Sequence, residues 1–399
     1  MSTENIAKAL QQIRTLAQDR PDLIEATDLL ASAISAGSIT NSTGVAIGRN
    51  IRMVVNNLNL PAETVASLLE LRSALGPSHS LELDRYSLGN FLEDKTRDFV
   101  GRDYVFKAIS EFLATHSKGY FVIEADPGMG KSALLAEYVR RTGCLSHFNM
   151  RAIGVVTAQQ FLENICTQLI VEFGLPYPSL PAEAGQNGAY LSKLLQEAST
   201  KLAVDERLTI AIDALDEVEL AGHPSGANIL YLPKTLPDHV YFILSRRDVD
   251  LPFVVEVPQI PFVLITRPTE NRTDVEVYIR RNTKEPWVNT WIAKQKGGMT
   301  IEQFVTRIAD LSENNFMYLH YVLPEIASGT YQTLDIESLP VGLRGYYDDH
   351  WRHMGMTTKP IPRMKIRVVY VLCEVRQLVS RKMVAQFATD ESLQVDELV

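Results

Sequence analysis

The chain has 399 residues, which is long enough for two to four domains with cores of their own. Its hydrophobic content of 46% and charged content of 22% are ordinary for a globular protein. The formal net charge of −9 argues against general binding to nucleic acid or to an anionic membrane. Three cysteines without paired spacing predict buried thiols in a reducing compartment, not a disulfide or metal framework.

The amino terminus is polar and lacks the basic and apolar segments of a secretion signal. No uninterrupted apolar run approaches the length of about 18 residues that a membrane helix needs. The stretch from Leu251 to Ile265 is interrupted by Glu256, Gln259 and prolines. We therefore expect a cytoplasmic protein without a membrane segment.

The first part of the chain changes character along its length. Helical spacing of apolar residues precedes a segment rich in Gly, Asn, Ser and Thr at 36–57. There, Val45 and Ile47 alternate with small residues, which is typical of a short strand or arch. A further helical pattern follows. We interpret residues 1–80 as a small, mainly helical module and residues 81–96 as a linker.

Residues 97–265 alternate apolar strands with helical patterns. Continuous apolar strands separated by helices predict an α/β domain with a parallel sheet covered by helices on both faces. The predicted strands are Tyr120–Ile123, Ala152–Val156, Leu208–Ile212 and Val240–Leu244. The predicted helices include an amphipathic one containing Val105 and Leu113, then Gln160–Phe173 and Tyr190–Leu202.

From about Asn271 onward, the patterns are all helical. The predicted helices are Val275–Arg281, Ile301–Leu311, Phe316–Ile326, one that begins near Tyr346, Ile366–Val375 and Arg381–Phe387. The α/β domain is therefore expected to be followed by an α-helical region.

The most informative segment lies between the first predicted strand and the helix that follows it. Its glycines allow successive backbone N–H groups to wrap a polyphosphate, and the helix N-terminus adds partial positive charge. Lys131 is placed to reach the β- and γ-phosphates, and the Ser132 hydroxyl is placed to ligate Mg²⁺. Ala125 replaces the usual first glycine of such a loop. The predicted nucleotide-binding residues here are Pro127, Gly128, Met129, Gly130, Lys131, Ser132 and Ala133.

A second nucleotide signature follows the strand predicted at 208–212. Asp213 ends that strand, where it would hold Mg²⁺ through a water beside Ser132. Asp216 and Glu217 then offer carboxylates that could orient or deprotonate a hydrolytic water, so both are candidate catalytic residues. The alternative interpretation is a buried strand followed by a solvated acidic turn.

Two arginines complete the candidate site. Arg246 follows the strand predicted at 240–244, at the carboxyl edge of the sheet where ligands of such folds bind. A guanidinium there could sense a γ-phosphate or stabilise charge that develops on it. Arg102, in a glycine-containing turn, could contact the sugar or phosphates. Surface arginines on a loop, or a plain turn at a domain entry, would have the same sequences.

Together these residues resemble the NACHT group of STAND signalling ATPases, the class that includes NOD-like receptors and bacterial relatives. Asp213 followed by a small residue and a second acid, Asp216, is the most specific mark of that group. The resemblance spans roughly residues 95–399. It is carried by Phe99-Val-Gly-Arg, Asp126-Pro-Gly-Met-Gly-Lys-Ser132, Ile212-Asp-Ala-Leu-Asp-Glu217, Leu244-Ser-Arg246, Asn315-Phe-Met-Tyr-Leu319 and Leu339-Pro-Val-Gly-Leu343 with Tyr346-Tyr347.

The resemblance implies a domain plan and a mode of action. Residues 97–265 would be the P-loop nucleotide-binding domain for ATP or ADP with Mg²⁺, 266–345 the helical domain and 346–399 the start of a winged helix. A sensor beyond residue 399 would receive an unknown trigger. The active protein would form homo-oligomers and recruit a downstream effector through residues 1–80, in bacterial defence or stress signalling. ATP hydrolysis would be slow and would reset the switch.

The segment 36–57 has two interpretations within this family. It could belong to a helical adaptor domain, or it could be a short amyloid-forming motif that templates a partner. Flanking helical patterns favour the adaptor.

Two other functions compete with the switch. One is a remodelling or motor ATPase that turns over continuously. The other is a transcription regulator whose winged helix binds DNA, although nucleic acid is an unlikely partner for a chain of this charge. A basic cluster gives the second alternative some support; a solvated helical face explains the same residues more simply. The cluster comprises Lys359, Arg363, Lys365, Arg367, Arg376, Arg381 and Lys382.

Overall fold

The structure is a computed structural model, and it describes residues 11, 13–15, 85–177, 179–283, 286–295, 298–328, 335–375 and 379–389. Residues 11 and 13–15 are helical. The predictions for the rest of 1–80, including the segment 36–57, lie outside the described residues. So does the end of the chain from residue 390.

The centre of the fold is a sheet of five parallel strands. The strands are β1 (Gly119–Glu124), β2 (Leu145–Phe148), β3 (Leu208–Asp213), β4 (Val240–Arg246) and β5 (Gln259–Val263). Their order across the sheet is β2-β3-β4-β1-β5. The predicted parallel sheet is therefore confirmed.

Helices cover the sheet on both faces. On one face, Tyr120 and Val122 of β1 pack with α4 and α5 in one buried cluster, whereas Phe121 and Ile123 face a second cluster with α1, α2 and α3. Because both faces of β1 are buried, its sequence is apolar throughout and does not alternate. These helices are α1 (Arg85–Thr96), α2 (Asp103–Thr115), α3 (Lys131–Thr142), α4 (Ala158–Phe173) and α5 (Ala189–Ser199).

The predicted strand at 152–156 is wrong. Residues Arg151–Ile153 form a 3₁₀ turn that ends at Gly154, which has a φ of 76°, and Val155 makes only an isolated antiparallel bridge. The second strand lies earlier, at β2, and is only four residues long. Its apolar pattern is interrupted by Ser146 and His147, so periodicity did not find it.

The edge strand β5 was also not predicted, because Pro261 lies within it. Proline is tolerated there since β5 pairs with β1 alone, and the opposite side of an edge strand needs no N–H donor.

The predicted linker at 81–96 is wrong over most of its length, because α1 occupies Arg85–Thr96. Leu92 is fully buried in the cluster beneath α3, and the Phe91 ring lies 4.9 Å from the Phe148 ring. The polar residues around this pair made the segment resemble a linker. Among the α1 residues whose side chains the structure describes, Phe91 and Leu92 pack against the sheet domain.

After the sheet, the described chain is helical, as predicted. The helices are α6 (Pro268–Asn282), α7 (Pro286–Ile292), α8 (Ile301–Leu311), α9 (Phe316–Ser328), α10 (Gly342–His353), α11 (Arg363–Glu374) and α12 (Arg381–Ala388). Helices α6 to α10 share a core in which the rings of Trp291 and Phe304 lie 5.6 Å apart. The proposed boundary between 345 and 346 falls inside α10.

Helices α11 and α12 pack against each other. The described residues after 346 contain helices and no strand, so the winged helix stays a prediction. None of the helices in the described ranges combines the length and the apolar character needed to cross a membrane.

Candidate functional site

The predicted site residues lie at the carboxyl ends of β1, β3 and β4, where the order in which the chain adds strands to the sheet reverses. The chain that leaves β1 reaches β2 at one edge, whereas the chain that leaves the neighbouring strand β4 reaches β5 at the other edge. Ligands of open α/β sheets bind at the carboxyl ends of such a pair of strands. The backbone N–H of Ala125 donates to the Arg246 carbonyl over 3.3 Å, which joins the two strand ends.

The loop between β1 and α3 takes its shape from two glycines. Gly128 and Gly130 have φ values of 81° and 84°, which residues with a Cβ rarely adopt. Gly130 is the N-cap of α3, and its carbonyl accepts from the Leu134 N–H over 2.9 Å. Ala125 has no positive φ and is 4% exposed within the core, so its methyl group fits where a glycine is usual.

Lys131 is the first residue of α3, and its side chain folds back over the loop. Its Nζ donates to the Ala125 carbonyl over 2.6 Å and to the Asp126 carbonyl over 3.1 Å. Burial lowers the pKa of Lys131 from its ordinary value, and the negative charges of Asp216 and Asp213 oppose that shift. The ammonium group therefore lies between the loop and the acidic segment after β3.

Asp213 is buried at the end of β3, with 3% of its surface exposed. Its carboxylate accepts a hydrogen bond from the Ser245 hydroxyl group. Burial raises the pKa of Asp213 from its ordinary value, and the nearby hydroxyl groups of Ser132 and Ser245 and the Lys131 charge partly offset that effect. A carboxylate beside a hydroxyl group is a set of oxygen donors that suits Mg²⁺.

No group of three or more His, Cys, Asp or Glu side chains in the described part of the chain could hold a metal ion by itself. A Mg²⁺ ion at Ser132 and Asp213 would therefore take its other ligands from phosphate oxygens and water, as is usual for this ion.

The two candidate catalytic acids are held differently. Asp216 accepts from the Arg247 backbone N–H over 3.0 Å and pairs with the Arg247 Nε over 2.9 Å. Glu217 accepts from the Arg151 backbone N–H over 2.8 Å, so it joins the 3₁₀ turn after β2. Of the two, Asp216 is the acid whose charge acts on Lys131. The catalytic role of both acids stays a prediction.

Arg246 ends β4 and pairs with Glu124 at the end of β1. Its Nε donates to Glu124 Oε1 over 2.9 Å, and its Nη2 donates to the same oxygen. The guanidinium thus lies at the carboxyl edge, as predicted, but bound to a carboxylate that the sequence did not single out. Its role toward a γ-phosphate stays a prediction.

Arg102 is 2% exposed, and its guanidinium is bound by protein groups. Nη2 donates to the Met129 carbonyl of the loop over 2.7 Å, and Nη1 donates to Asn271 Oδ1 and to the Tyr104 hydroxyl over 2.6 Å. The Arg102 backbone N–H donates to Asp274 Oδ2 over 3.1 Å. Arg102 therefore connects the loop to α6. A contact with sugar or phosphate stays a prediction, since the side chain is occupied here.

The start of α9 also contacts the loop. Asn315 Nδ2 donates to the Pro127 carbonyl over 2.9 Å, and the N–H groups of Phe316 and Met317 donate to the Gly128 carbonyl over 3.0 and 3.2 Å. A Cβ at Gly128 would collide with Asn315 Oδ1. The helical region thus touches the loop directly.

Sequence reasoning missed several partners of the site residues. Asn149, which is 2% exposed, donates from Nδ2 to the Asp213 carbonyl over 2.7 Å. It follows β2, a strand that was predicted in the wrong place. Ser245 was quoted only as the residue before Arg246, and Asn271 and Asp274 lie in a helix with no motif of its own. Only contacts in three dimensions identify these residues.

A comparison of the chain with models of known protein families, and with curated proteins, finds no match to either. The resemblance to NACHT proteins therefore stays a prediction from the sequence motifs alone.

Proposed function

We propose that this chain binds ATP or ADP with Mg²⁺ at the loop formed by residues 125–132. One observation carries the proposal. Two glycines with positive φ lead into a helix that begins with Lys131 and Ser132, near a buried Asp213, at the switch point of a parallel sheet. This arrangement offers backbone N–H groups, an ammonium and a magnesium ligand set to one polyphosphate.

Each residue then has a role. Pro127, Gly128, Met129, Gly130 and Ala133 contribute backbone around the phosphates. Lys131 leaves the loop carbonyls and pairs with phosphate oxygens, and Ser132 and Asp213 hold Mg²⁺. Asp216 or Glu217 orients the attacking water, and Arg246 or its neighbour Arg247 compensates the charge that develops on the γ-phosphate.

We further propose that nucleotide exchange drives a conformational switch of the STAND class. The support is that α9 and Arg102 contact the backbone of the same loop that would hold the phosphates. A change of nucleotide can therefore alter how the helical region docks, which is the differential interaction that a switch needs. Oligomerisation, an effector bound through residues 1–80 and a role in bacterial defence are further parts of this proposal.

Replacing Lys131 with alanine tests nucleotide binding. We expect ADP affinity, measured by isothermal titration, to fall about 30-fold, because a hydrogen-bonded charge is lost from the phosphate site. Lys201→Ala is a matched control, since Lys201 Nζ also donates to two backbone carbonyls, over 3.0 and 3.1 Å, away from the loop. Wild-type affinity in Lys131→Ala would overturn the proposal.

The rate of ATP hydrolysis distinguishes the switch from a motor ATPase that turns over continuously. We expect the purified chain to carry ADP and to hydrolyse ATP slowly, at a rate that DNA does not raise. A fast rate that DNA or an unfolded client stimulates strongly would favour a motor instead.

A further inference from the structure

The helical region holds three successive carbonyl groups of the glycine loop, those of residues 127–129. Asn315 Nδ2 donates to the first over 2.9 Å. The N–H groups of Phe316 and Met317 donate to the second over 3.0 and 3.2 Å. Arg102, which α6 holds in place, donates to the third over 2.7 Å. Every carbonyl on this stretch of the loop is therefore engaged by a donor that belongs to, or is fixed by, the helical region.

The bound carbonyls fix where the N–H groups of the loop point. In a planar trans peptide, the C=O and the following N–H point in opposite directions. Holding the carbonyls of Pro127 and Met129 therefore aims the N–H groups of Gly128 and Gly130 away from the donors. Within the described ranges, neither N–H donates to another backbone group, whereas the Met129 N–H donates to the Asp126 carbonyl over 3.4 Å. Two oriented and unused N–H donors on one loop can bind an anion such as a phosphate.

We propose that the docked helical region preorganises the loop for phosphate, with Arg102 and Asn315 as positioning residues. This inference rests on the proposed nucleotide site and deepens it, because it states how docking and phosphate affinity are coupled. The coupling is reciprocal: a bound β-phosphate fixes the same peptides and so stabilises docking of α9. Docking and binding of the diphosphate therefore strengthen each other.

The contacts that Arg102 makes between the loop and the helical region are buried, and they require the planar shape of its guanidinium. Its guanidinium lies over the Phe316 ring, 5.1 Å from the centroid, and contacts Asn271 and Asp274 of α6. A Cβ at Gly101 would collide with Asp274, so the backbone also approaches α6 closely. A planar guanidinium reaches these groups at once, and a lysine ammonium would not.

The side formed by Asn315 allows a clean test. Its Oδ1 accepts from the N–H groups of Met317 and Tyr318, over 3.0 and 3.2 Å, and so caps α9. Serine is also a good N-cap, but its hydroxyl is too short to reach the Pro127 carbonyl as well. Asn315→Ser therefore removes the donor to the loop and keeps the cap.

The measurement is the ratio of ADP affinity to AMP affinity in the full chain. We expect Asn315→Ser to lower this ratio about tenfold, because the oriented N–H groups act on the β-phosphate, which AMP lacks. General loosening of the fold would weaken both ligands equally and leave the ratio unchanged. Asn282→Ser is the control: it removes a 2.9 Å amide-to-carbonyl bond within α6 and should not change the ratio.

Two further measurements complete the test. Arg102→Lys should lower the same ratio, and ADP should slow hydrogen exchange at the amides of Phe316 and Met317 in the wild-type chain. An unchanged ratio in both Asn315→Ser and Arg102→Lys, in a wild-type chain that binds ADP, would overturn this inference alone. Failure of the wild-type chain to bind ADP would overturn the proposed function and, with it, this inference.

Discussion

The two halves of the candidate site are built in different ways. The loop at 126–130 presents backbone groups, and its conformation depends on glycines with positive φ. The segment at 213–217 presents carboxylates, and each carboxylate is positioned by a different neighbour. Ser245 binds Asp213, and Arg247 binds Asp216. The conformation of the phosphate half is therefore encoded by its own glycines before the helical region binds its carbonyls, whereas the metal and water half depends on side chains and backbone supplied by the neighbouring strand β4, which is distant in sequence.

This difference has an electrostatic consequence. The loop carries no side-chain charge except that of Asp126 until Lys131 begins α3. The acidic segment, by contrast, buries an ionisable group, and burial raises the pKa of Asp213. The charged form of Asp213 therefore costs folding stability in the acidic half, as the charged form of Lys131, whose pKa burial lowers, does beside the loop.

The largest expected effect is on hydrolysis. Asp216→Ala should lower the rate of ATP hydrolysis about a hundredfold, because the water loses the acid that orients it, while ATP affinity changes little. Phosphate release under saturating ATP measures this. Asp248→Ala, at an exposed position on the loop after β4, is the control.

The contact with Arg247 offers a competing explanation for that effect. If Asp216 serves only to anchor Arg247, then Arg247→Ala will reduce hydrolysis as much as Asp216→Ala does. Equal losses in the two single variants, with no further loss when both side chains are removed, would therefore contradict a direct role for Asp216 and move the prediction to the arginine.

The features that the sequence predicted lie mostly in the glycine loop and the buried strands, whereas the partners of the acidic residues were missed. The loop was located to the residue, because Gly128 and Gly130 mark a conformation that few other residues adopt. The buried strands β1, β3 and β4 were found because they are apolar throughout. The short strand β2 was misplaced, and Asn149, which follows it, was missed with it. Local patterns carry no information about a partner that another strand supplies.

The loop half is tested by adding methyl groups. Gly128→Ala should lower the free energy of unfolding by about 3 kcal/mol, since it adds a collision with Asn315 to the strain of a positive φ. Gly130→Ala meets no atom within 4 Å, so only strain of about 1 kcal/mol is expected. Chemical denaturation of both variants without nucleotide measures the difference. Equal losses would show that the contact between Gly128 and Asn315 does not matter for stability.

The smallest expected effect is on the pH dependence of folding stability, and it concerns Asp213 in the acidic segment. Burial raises the pKa of Asp213 in the folded chain above its unfolded value of about 3.9. Stability is therefore unaffected below the unfolded pKa and falls as pH rises toward the raised folded pKa, because ionisation then disfavours the folded state. Asp213→Asn cannot ionise. Without Mg²⁺ and nucleotide, it should gain stability relative to wild type as pH rises from 4 to 7, by about 1 kcal/mol.

The control is a carboxyl group whose pKa shifts in the opposite direction. Lys118 Nζ lies 3.0 Å from Oδ1 of the exposed Asp238, and its hydrogen bond lowers the pKa of that carboxyl group. Ionised Asp238 therefore stabilises the fold above its unfolded pKa. It loses that contribution as pH falls. Asp238→Asn should therefore be less stable than wild type by a nearly constant amount from pH 4 to 7, and this difference should disappear only below the unfolded pKa of about 3.9. With Mg²⁺ and nucleotide present, the advantage of Asp213→Asn should reverse, because only the wild-type carboxylate holds the ion and gains the binding free energy. Parallel pH profiles for both variants would show that the ionisation of Asp213 does not weaken the fold, and that its burial has no cost that an exposed acid lacks.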